Sequence, residues 1–399
     1  MEAAVHVSTQ DVSVGFVSTY PPTVCGLASF TASLRTTIAK TRGSAAGLGV
    51  LRLVDGVRDG WGRDSVHVHR RGDAGSLRSG LRHLNSYDVV SIQHEFGIYG
   101  GADGREVLDL VDRLDVPAVT TFHTMLAEPT PDQRWIVERL VAASKRAVVM
   151  TRTAAERLVA NYDVDADLVT VIPHGTDPQF AGPSLATGGR PLVLTWGLIG
   201  PGKGLEVAIE ACAALVGLTP LPRYLIAGAT HPNVRRDSGE AYRNGLIELV
   251  GRLGLEEIVE FDDRYLEAAE LARLVRSADL VVLPYASVDQ VTSGVLVEAI
   301  SASKPVIATT FPHSVELLTG GAGMLVPHGD VDALADALRL ALTDPVVAGR
   351  MARKAGRIAD GWDWPTVGRS YDTLFTDVVG RIPAMRGSDL DMEFQHVAG

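Results

Sequence analysis

At 399 residues, 46% of them hydrophobic and 21% charged, the chain is long enough for two ordinary cores and too apolar to be disordered. Its formal net charge of -11 excludes the broad basic surface that general nucleic-acid binding requires, although Arg35, Lys40, Arg42, Arg78 and Arg82 could form a local patch. Two cysteines, Cys25 and Cys212, provide no disulfide framework, so a reducing compartment is the default.

The first residues lack the basic segment and apolar run of a signal peptide, and no apolar stretch reaches the roughly 20 residues of a membrane span. A cytoplasmic protein is expected. Short β-rich runs then alternate with amphipathic stretches, the pattern of parallel α/β sheets. In the first half, strands are predicted at 12–18, 48–54, 66–70, 89–93, 118–123, 147–151 and 169–173, with helices at 29–41 and 132–144. The Pro- and Gly-rich run 177–191 has the composition of a linker. The pattern then restarts, with strands at 192–196, 223–227, 259–261, 280–284, 305–309 and 323–326. Helices are predicted at 205–216, 241–253, 267–277, 294–301 and 331–342. One more follows at 365–379, ahead of a polar tail expected to be mobile. Neither half repeats the other in sequence, so two similar α/β domains are predicted, not a solenoid.

Ligands of open parallel sheets bind beyond the carboxyl ends of strands, so the loops there are the places to look. After the strand at 192–196 comes Gly197-Leu-Ile-Gly-Pro-Gly-Lys-Gly204, a glycine-rich turn into a helix. Glycines admit close backbone approach, and the helix N-terminus favours an anion. Lys203, one of only five lysines against 32 arginines, adds a mobile positive charge. A phosphate or diphosphate is the natural guest. The spacing of Gly197, Gly202 and Lys203 also fits a nucleotide-triphosphate loop, but Gly204 stands where that loop needs Ser or Thr for magnesium. After the strand at 280–284, a second helix begins near Ser293 or Gly294 and places Glu298 about one turn in. A carboxylate there can accept hydrogen bonds from two adjacent hydroxyls, as on a ribose, or simply favour the helix dipole.

These segments occur in a telling order: Pro201-Gly-Lys-Gly204, Val259-Glu-Phe261, Ser293-Gly-Val-Leu-Val-Glu-Ala-Ile300 and Lys304-Pro-Val-Ile-Ala-Thr309. Together they resemble the C-terminal half of the family 4 glycosyltransferases, and Val171-Ile-Pro-His-Gly-Thr-Asp177 resembles the exit from that family's first domain. The resemblance spans roughly residues 12–380 and is more specific in the second half. It implies a GT-B fold, two Rossmann-like doubly wound domains facing a central cleft. Residues 1–180 would form the acceptor-side domain, 191–362 the donor-side domain, 363–382 a helix returning to the first domain, and 383–399 the tail. Trp362, Trp364, Tyr371 and Phe375 would pin that helix or simply fill its core.

The resemblance also implies site residues. Lys203, Gly197 and the amides of Ser293, Gly294 and Val295, with Thr292 beside them, would meet the donor diphosphate. Glu298 would bind the nucleotide ribose, and Arg264, in the turn Asp262-Asp-Arg-Tyr265, would border the nucleobase. Two positions depart from the pattern. The first glutamate of the family's E-x7-E, which would touch the donor sugar's hydroxyls, is Gln290, an uncharged amide that can still hydrogen-bond there, with Asp289 beside it. The family's arginine five residues before the lysine is Leu198. On the acceptor side Gly26 matches a family glycine near the donor phosphate or the acceptor, and His123 a histidine near the transferred sugar. His94, Glu95 and Tyr99 share one loop, read here as binding the acceptor or the sugar.

No third ligand accompanies His94 and Glu95 at zinc spacing, and the Asp-x-Asp strings at 163–167 and 330–332 sit where capping explains them. No metal or other cofactor is therefore expected. The implied reaction moves a hexosyl unit, with retention of configuration, from a nucleoside-diphosphate sugar to a hydroxyl acceptor, with His123, Lys203 and Glu298 at its centre. A lipid-linked acceptor would bring peripheral contact with a membrane. A phosphorylase or epimerase on the same frame, or a weak relative that only binds a sugar nucleotide, are the rival readings. Oligomeric state, base, sugar and acceptor are not encoded legibly.

Overall fold

The computed structural model describes residues 11–56, 66–185 and 188–380, so the tail predicted at 383–399 lies outside the described residues. Seven parallel strands form the first sheet: β1 (Val14–Ser18), β2 (Leu48–Val54), β3 (Val66–Arg70), β4 (Val89–His94), β5 (Ala118–Phe122), β6 (Arg146–Val149) and β7 (Val169–Val171). Their spatial order is β3-β2-β1-β4-β5-β6-β7. Six strands form the second: β8 (Leu192–Trp196), β9 (Arg223–Ala227), β10 (Val259–Asp262), β11 (Leu280–Leu283), β12 (Val306–Thr309) and β13 (Gly323–Val326). They are ordered β10-β9-β8-β11-β12-β13. Every residue of β1, β2, β4, β5, β8 and β11 is buried, as strands covered by helices on both faces must be. That is why they stand out in the sequence as largely apolar runs, interrupted by a few buried polar residues such as Arg52, Gln93 and Thr195.

Strand order reverses at two points, β1/β4 and β8/β11. Diverging connections there open a crevice beyond the carboxyl ends of the strands. The loop carrying Lys203 leaves β8 and the loop leading to Glu298 leaves β11, so both flank the same switch point.

The helices depart from expectation where local signals were weak. Helix Gly26–Arg42 starts three residues early because the Cys25 thiol accepts the Ala28 N–H. The predicted 205–216 helix is Leu205–Ala211 followed by a tighter turn, Cys212–Leu215. Helices Ala74–Leu84, Arg152–Asn161 and Pro345–Ile358 were not predicted, although each has a side-chain cap, from Asp73, Thr151 and Asp344. Asp165 and Asp330 do cap, accepting from Asp167 N and Ala333 N. The described part of the 177–191 run is strapped down: Phe180 is buried, and Lys304 Nζ donates to Ser184 Oγ (3.0 Å) and Arg276 O (2.6 Å).

The last helix, Trp364–Val379, packs on helix Gly26–Arg42. Trp364, Tyr371 and Phe375 join Phe16, Phe30 and Leu34 in one buried cluster, each aromatic contributing about 2–3 kcal/mol of burial. Trp362 instead packs with the second sheet's core. Arg42, almost wholly buried, pairs with Asp372 across these two helices, while Arg35 donates to Leu48 O (2.9 Å). The basic patch considered from sequence therefore loses two members to internal bonds.

Candidate active site

The glycine loop after β8 is folded tightly under β11. Gly204 has φ +63°, and a Cβ there would lie 1.8 Å from Pro284 O, so only glycine fits. Ala286 N donates to Gly202 O (2.9 Å), fastening the loop, and the Lys203 ammonium lies 4.3 Å from the centre of the Tyr285 ring. Trp196, Gly197, Leu198 and Lys203 line one small pocket. Leu198 brings no charge to it.

Helix Gly294–Ser301 aims its N-terminus at the same place. Ser293 caps it by accepting Leu296 N–H (3.2 Å). One expectation is corrected here: the Ser293 amide is taken, donating to His313 Nδ1 (2.8 Å). Gly294 and Val295, the first helical residues, have no acceptor within the helix and are the amides left for an anion. A Cβ on Gly294 would sit 3.1 Å from His174 Nε2. His174 Nδ1 bonds Gly175 O (2.8 Å), and a carbonyl can only accept, so Nδ1 carries the proton and the Nε2 lone pair faces this helix start. Thr292 is half-buried and its hydroxyl has no partner among the described residues.

Glu298 stands one turn further on, half-buried, its Oε2 accepting the Trp196 indole N–H at 2.9 Å. Burial pushes its carboxyl up to about 7; the indole bond opposes that shift and the charge of Asp177 adds to it. Arg264 is exposed at the turn after β10 and braced by Asp262 and Glu270.

Gln290 and Asp289 serve different partners. The Gln290 amide donates to Thr292 O (3.2 Å), a contact within its own loop. Asp289 reaches into the first domain, accepting from Arg157 Nη1 (3.2 Å) and Ala127 N (3.1 Å). Val291 is buried in the first domain's core, and its carbonyl accepts Thr151 Oγ1 (3.0 Å). Glu316 likewise takes Arg152 N, Thr153 N and Thr153 Oγ1. These bonds hold the carboxyl edges of the two sheets face to face.

On the first-domain side, Gly26 opens its helix, and among the described residues nothing lies within 4 Å of where its Cβ would stand. His123 Nε2 bonds Gln93 Oε1 (2.9 Å), while the Gln93 amide donates to Ser91 Oγ. The Phe30 ring meets His123, His174 and Trp364 edge-on at 4.8, 5.2 and 5.1 Å, joining two cleft histidines to the last helix. Burial lowers the pKa of His123 and His313 to about 3 and that of His174 to about 4, keeping all three neutral. His174 and His313 were not among the predicted site residues; only the strand-end position of His174 hinted at its place.

The loop of His94, Glu95 and Tyr99 is the clearest correction. His94 is fully buried against Phe96, Tyr99 and Phe122, because the last residue of β4 turns into the core. Tyr99 is buried too and donates to Gln93 O (2.7 Å). Neither can touch an acceptor. Glu95 is only half-buried, bonded to Thr124 Oγ1 and Phe96 N, with its pKa raised by burial against both bonds.

Among the described residues no cluster of three or more His, Cys, Asp or Glu could hold a metal ion, and no helix is long and apolar enough to cross a membrane. A cavity of about 430 Å³ opens at the amino ends of β8 and β9. Its charged groups are already engaged, Arg223 with Glu260, Asp279 by Leu192 N and Arg190 with the Leu221, Pro222 and Glu257 carbonyls, and it lies at the end of the sheet opposite the glycine loop.

Comparison with known proteins identifies the family and the fold. Residues 38–180 match the family described as Glycosyltransferase Family 4, and residues 178–359 the family Glycosyl transferases group 1. A D-inositol 3-phosphate glycosyltransferase of Kineococcus radiotolerans is 31% identical over 79% of this chain and 78% of its own length. One of Corynebacterium glutamicum is 27% identical over 84% and 83%. Among solved structures, Anabaena HepE in complex with UDP superposes with a TM-score of 0.71 at 19% identity, covering 92% of this chain and all of that one. Sucrose-phosphate synthase of Thermosynechococcus elongatus gives 0.70 at 19%, covering 92% and 99%. The two halves match in order and a relative 31% identical spans most of the chain, so this protein belongs to the group 1, family 4 glycosyltransferases and is an enzyme of the GT-B fold.

Proposed function

We propose that the enzyme moves a hexosyl unit from a nucleoside-diphosphate sugar to a hydroxyl acceptor, retaining the anomeric configuration. The observation that carries this is the convergence at the β8/β11 switch point of the Lys203 loop, the Gly294 and Val295 amides, and the Glu298 carboxylate. The first two suit a diphosphate and the third a ribose.

In this reading the bond from the sugar's anomeric carbon to the diphosphate oxygen breaks, its electron pair staying on the phosphate. Lys203 and the helix amides stabilise that growing charge, the interaction that usually contributes most to such a step. The acceptor hydroxyl bonds to the anomeric carbon on the face being vacated, and its proton passes to the leaving phosphate. Neutral His123 offers the Nδ1 lone pair to a sugar hydroxyl. Leu198 leaves Lys203 as the cation of the loop, which makes the lysine more important here.

The names of the relatives make D-inositol 3-phosphate the first acceptor to assay, and the UDP bound to HepE makes UDP-sugars the first donors. Lys203→Ala is expected to cut turnover about 100-fold or more with unchanged circular dichroism. Near-normal transfer by that variant would sink the assignment. Nucleotide binding by the wild type without transfer or hydrolysis would instead favour a binding protein.

A further inference from the structure

We propose that Trp196 is the positioning residue for Glu298, and through it sets the enzyme's selectivity for a nucleotide bearing both ribose hydroxyls. The inference rests on the donor site proposed above. Trp196 is the last residue of β8, immediately before the chain turns at Gly197 into the glycine loop. Its side chain is buried, in the same apolar cluster as Leu194, Ala227, Leu283 and Leu296. An indole offers one donor and no acceptor. Here that donor points to Glu298 Oε2 at 2.9 Å.

The consequence is directional. A carboxylate has about four lone-pair sites, and two adjacent hydroxyls need two of them held in one plane. A half-buried glutamate with a free terminal torsion would have to give up that rotation on binding. The indole removes the rotation beforehand, because the ring is locked by packing and its N–H accepts no other angle. Oε1 and the outer lone pair of Oε2 are then left for the ribose. The helix contributes the other fixed point, since Ser293 caps it through Leu296 N and sets Glu298 one turn beyond the Gly294 and Val295 amides. Strand β8 and the loop that leaves it thus serve both ends of the nucleotide, Lys203 of the loop toward the diphosphate and Trp196 of the strand behind the Glu298 carboxylate that meets the ribose. Burial disfavours the charged carboxylate, and the indole bond counters that as well.

The test compares UDP with 2′-deoxy-UDP by calorimetry on the full-length wild type, W196F and E298Q, with GDP or ADP and their 2′-deoxy forms used if one of those is the nucleotide bound. The wild type is expected to prefer the ribonucleotide about 10-fold or more. W196F should lose most of that preference, weakening ribonucleotide binding about 10-fold while the 2′-deoxy form changes little, and E298Q should abolish it. Equal weakening of both nucleotides by W196F would mean that the indole merely supports packing, and an unchanged preference would show it is dispensable; either overturns the proposal. Should W196F fail to fold, ¹⁵N-labelled wild type decides. One indole N–H resonance moved by UDP and not by 2′-deoxy-UDP supports the role, and identical indole spectra with both oppose it. A wild type that binds none of the nucleotides overturns the donor site itself, and this inference with it.

Discussion

Replacing Gly204 by alanine separates the geometry of the glycine loop from its backbone strain. The residue has φ +63°, which costs an alanine about 1 kcal/mol. The larger effect is steric. The new Cβ would lie 1.8 Å from Pro284 O, and real Cβ contacts do not fall below 3.0 Å, so the loop must open by about 1.2 Å. Lys203 is the preceding residue and moves with it. A misplacement near 1 Å can cost about 100-fold in rate, while the forced packing removes about 1–3 kcal/mol of stability. Gly217→Ala is the control: φ is +89°, nothing among the described residues lies within 4 Å of the new Cβ, and the residue stands beyond the following helix and the turn Cys212–Leu215. It should lose about 1 kcal/mol in urea unfolding and keep full kcat/KM. Initial transfer rates and unfolding midpoints for the two variants decide the matter. Wild-type kcat/KM in Gly204→Ala, or an equal loss of activity in Gly217→Ala, would refute the reasoning.

Two further predictions concern the first domain and its contact with the second. His94 is buried with both ring nitrogens unpartnered among the described residues, and its pKa is lowered by burial from 6.5 to about 3. The unfolded chain therefore takes up a proton first, so this residue's contribution to stability falls as pH drops from about 6.5 toward 3, by about 1.4 kcal/mol per unit. His94→Leu should gain about 2 kcal/mol on the wild type between pH 7.5 and pH 5 in urea unfolding, whereas a constant difference would contradict the burial argument. Glu316→Ala removes three bonds, of 3.0, 2.8 and 2.7 Å, by which the second domain caps helix Arg152–Asn161 of the first. Small-angle scattering should show a larger radius of gyration with unchanged helix content; an identical profile would mean that these bonds do not hold the two sheets together.

Much of this protein was determined locally. Strands covered on both faces must be predominantly apolar, so β1, β2, β8 and β11 are legible as runs of residues even where Ser18, Arg52 or Thr195 interrupts them. The bend at Gly197–Gly204 is likewise legible from its own residues, because the positive φ at Gly197, Gly202 and Gly204 favours glycine, whereas the Pro284 carbonyl that excludes a side chain at Gly204 comes from the neighbouring strand's end. Helices were missed where the apolar period was short, as at Ala74–Leu84, even though the Asp73 cap was in plain view. Tertiary structure decided the rest. Nothing near His94 in sequence reveals that β4 ends by turning it inward, against Phe122 from the neighbouring strand. Asp289 is spent on Arg157, 132 residues away, and Ser293's amide on His313, 20 residues away. The indole behind Glu298 is 102 residues distant. Hydrophobic period and turn chemistry depend on a few neighbouring residues, so the sequence displays them. The direction of a side chain at a strand end, and the partner it finds there, depend on which strands the topology brings alongside, and only the folded chain decides that.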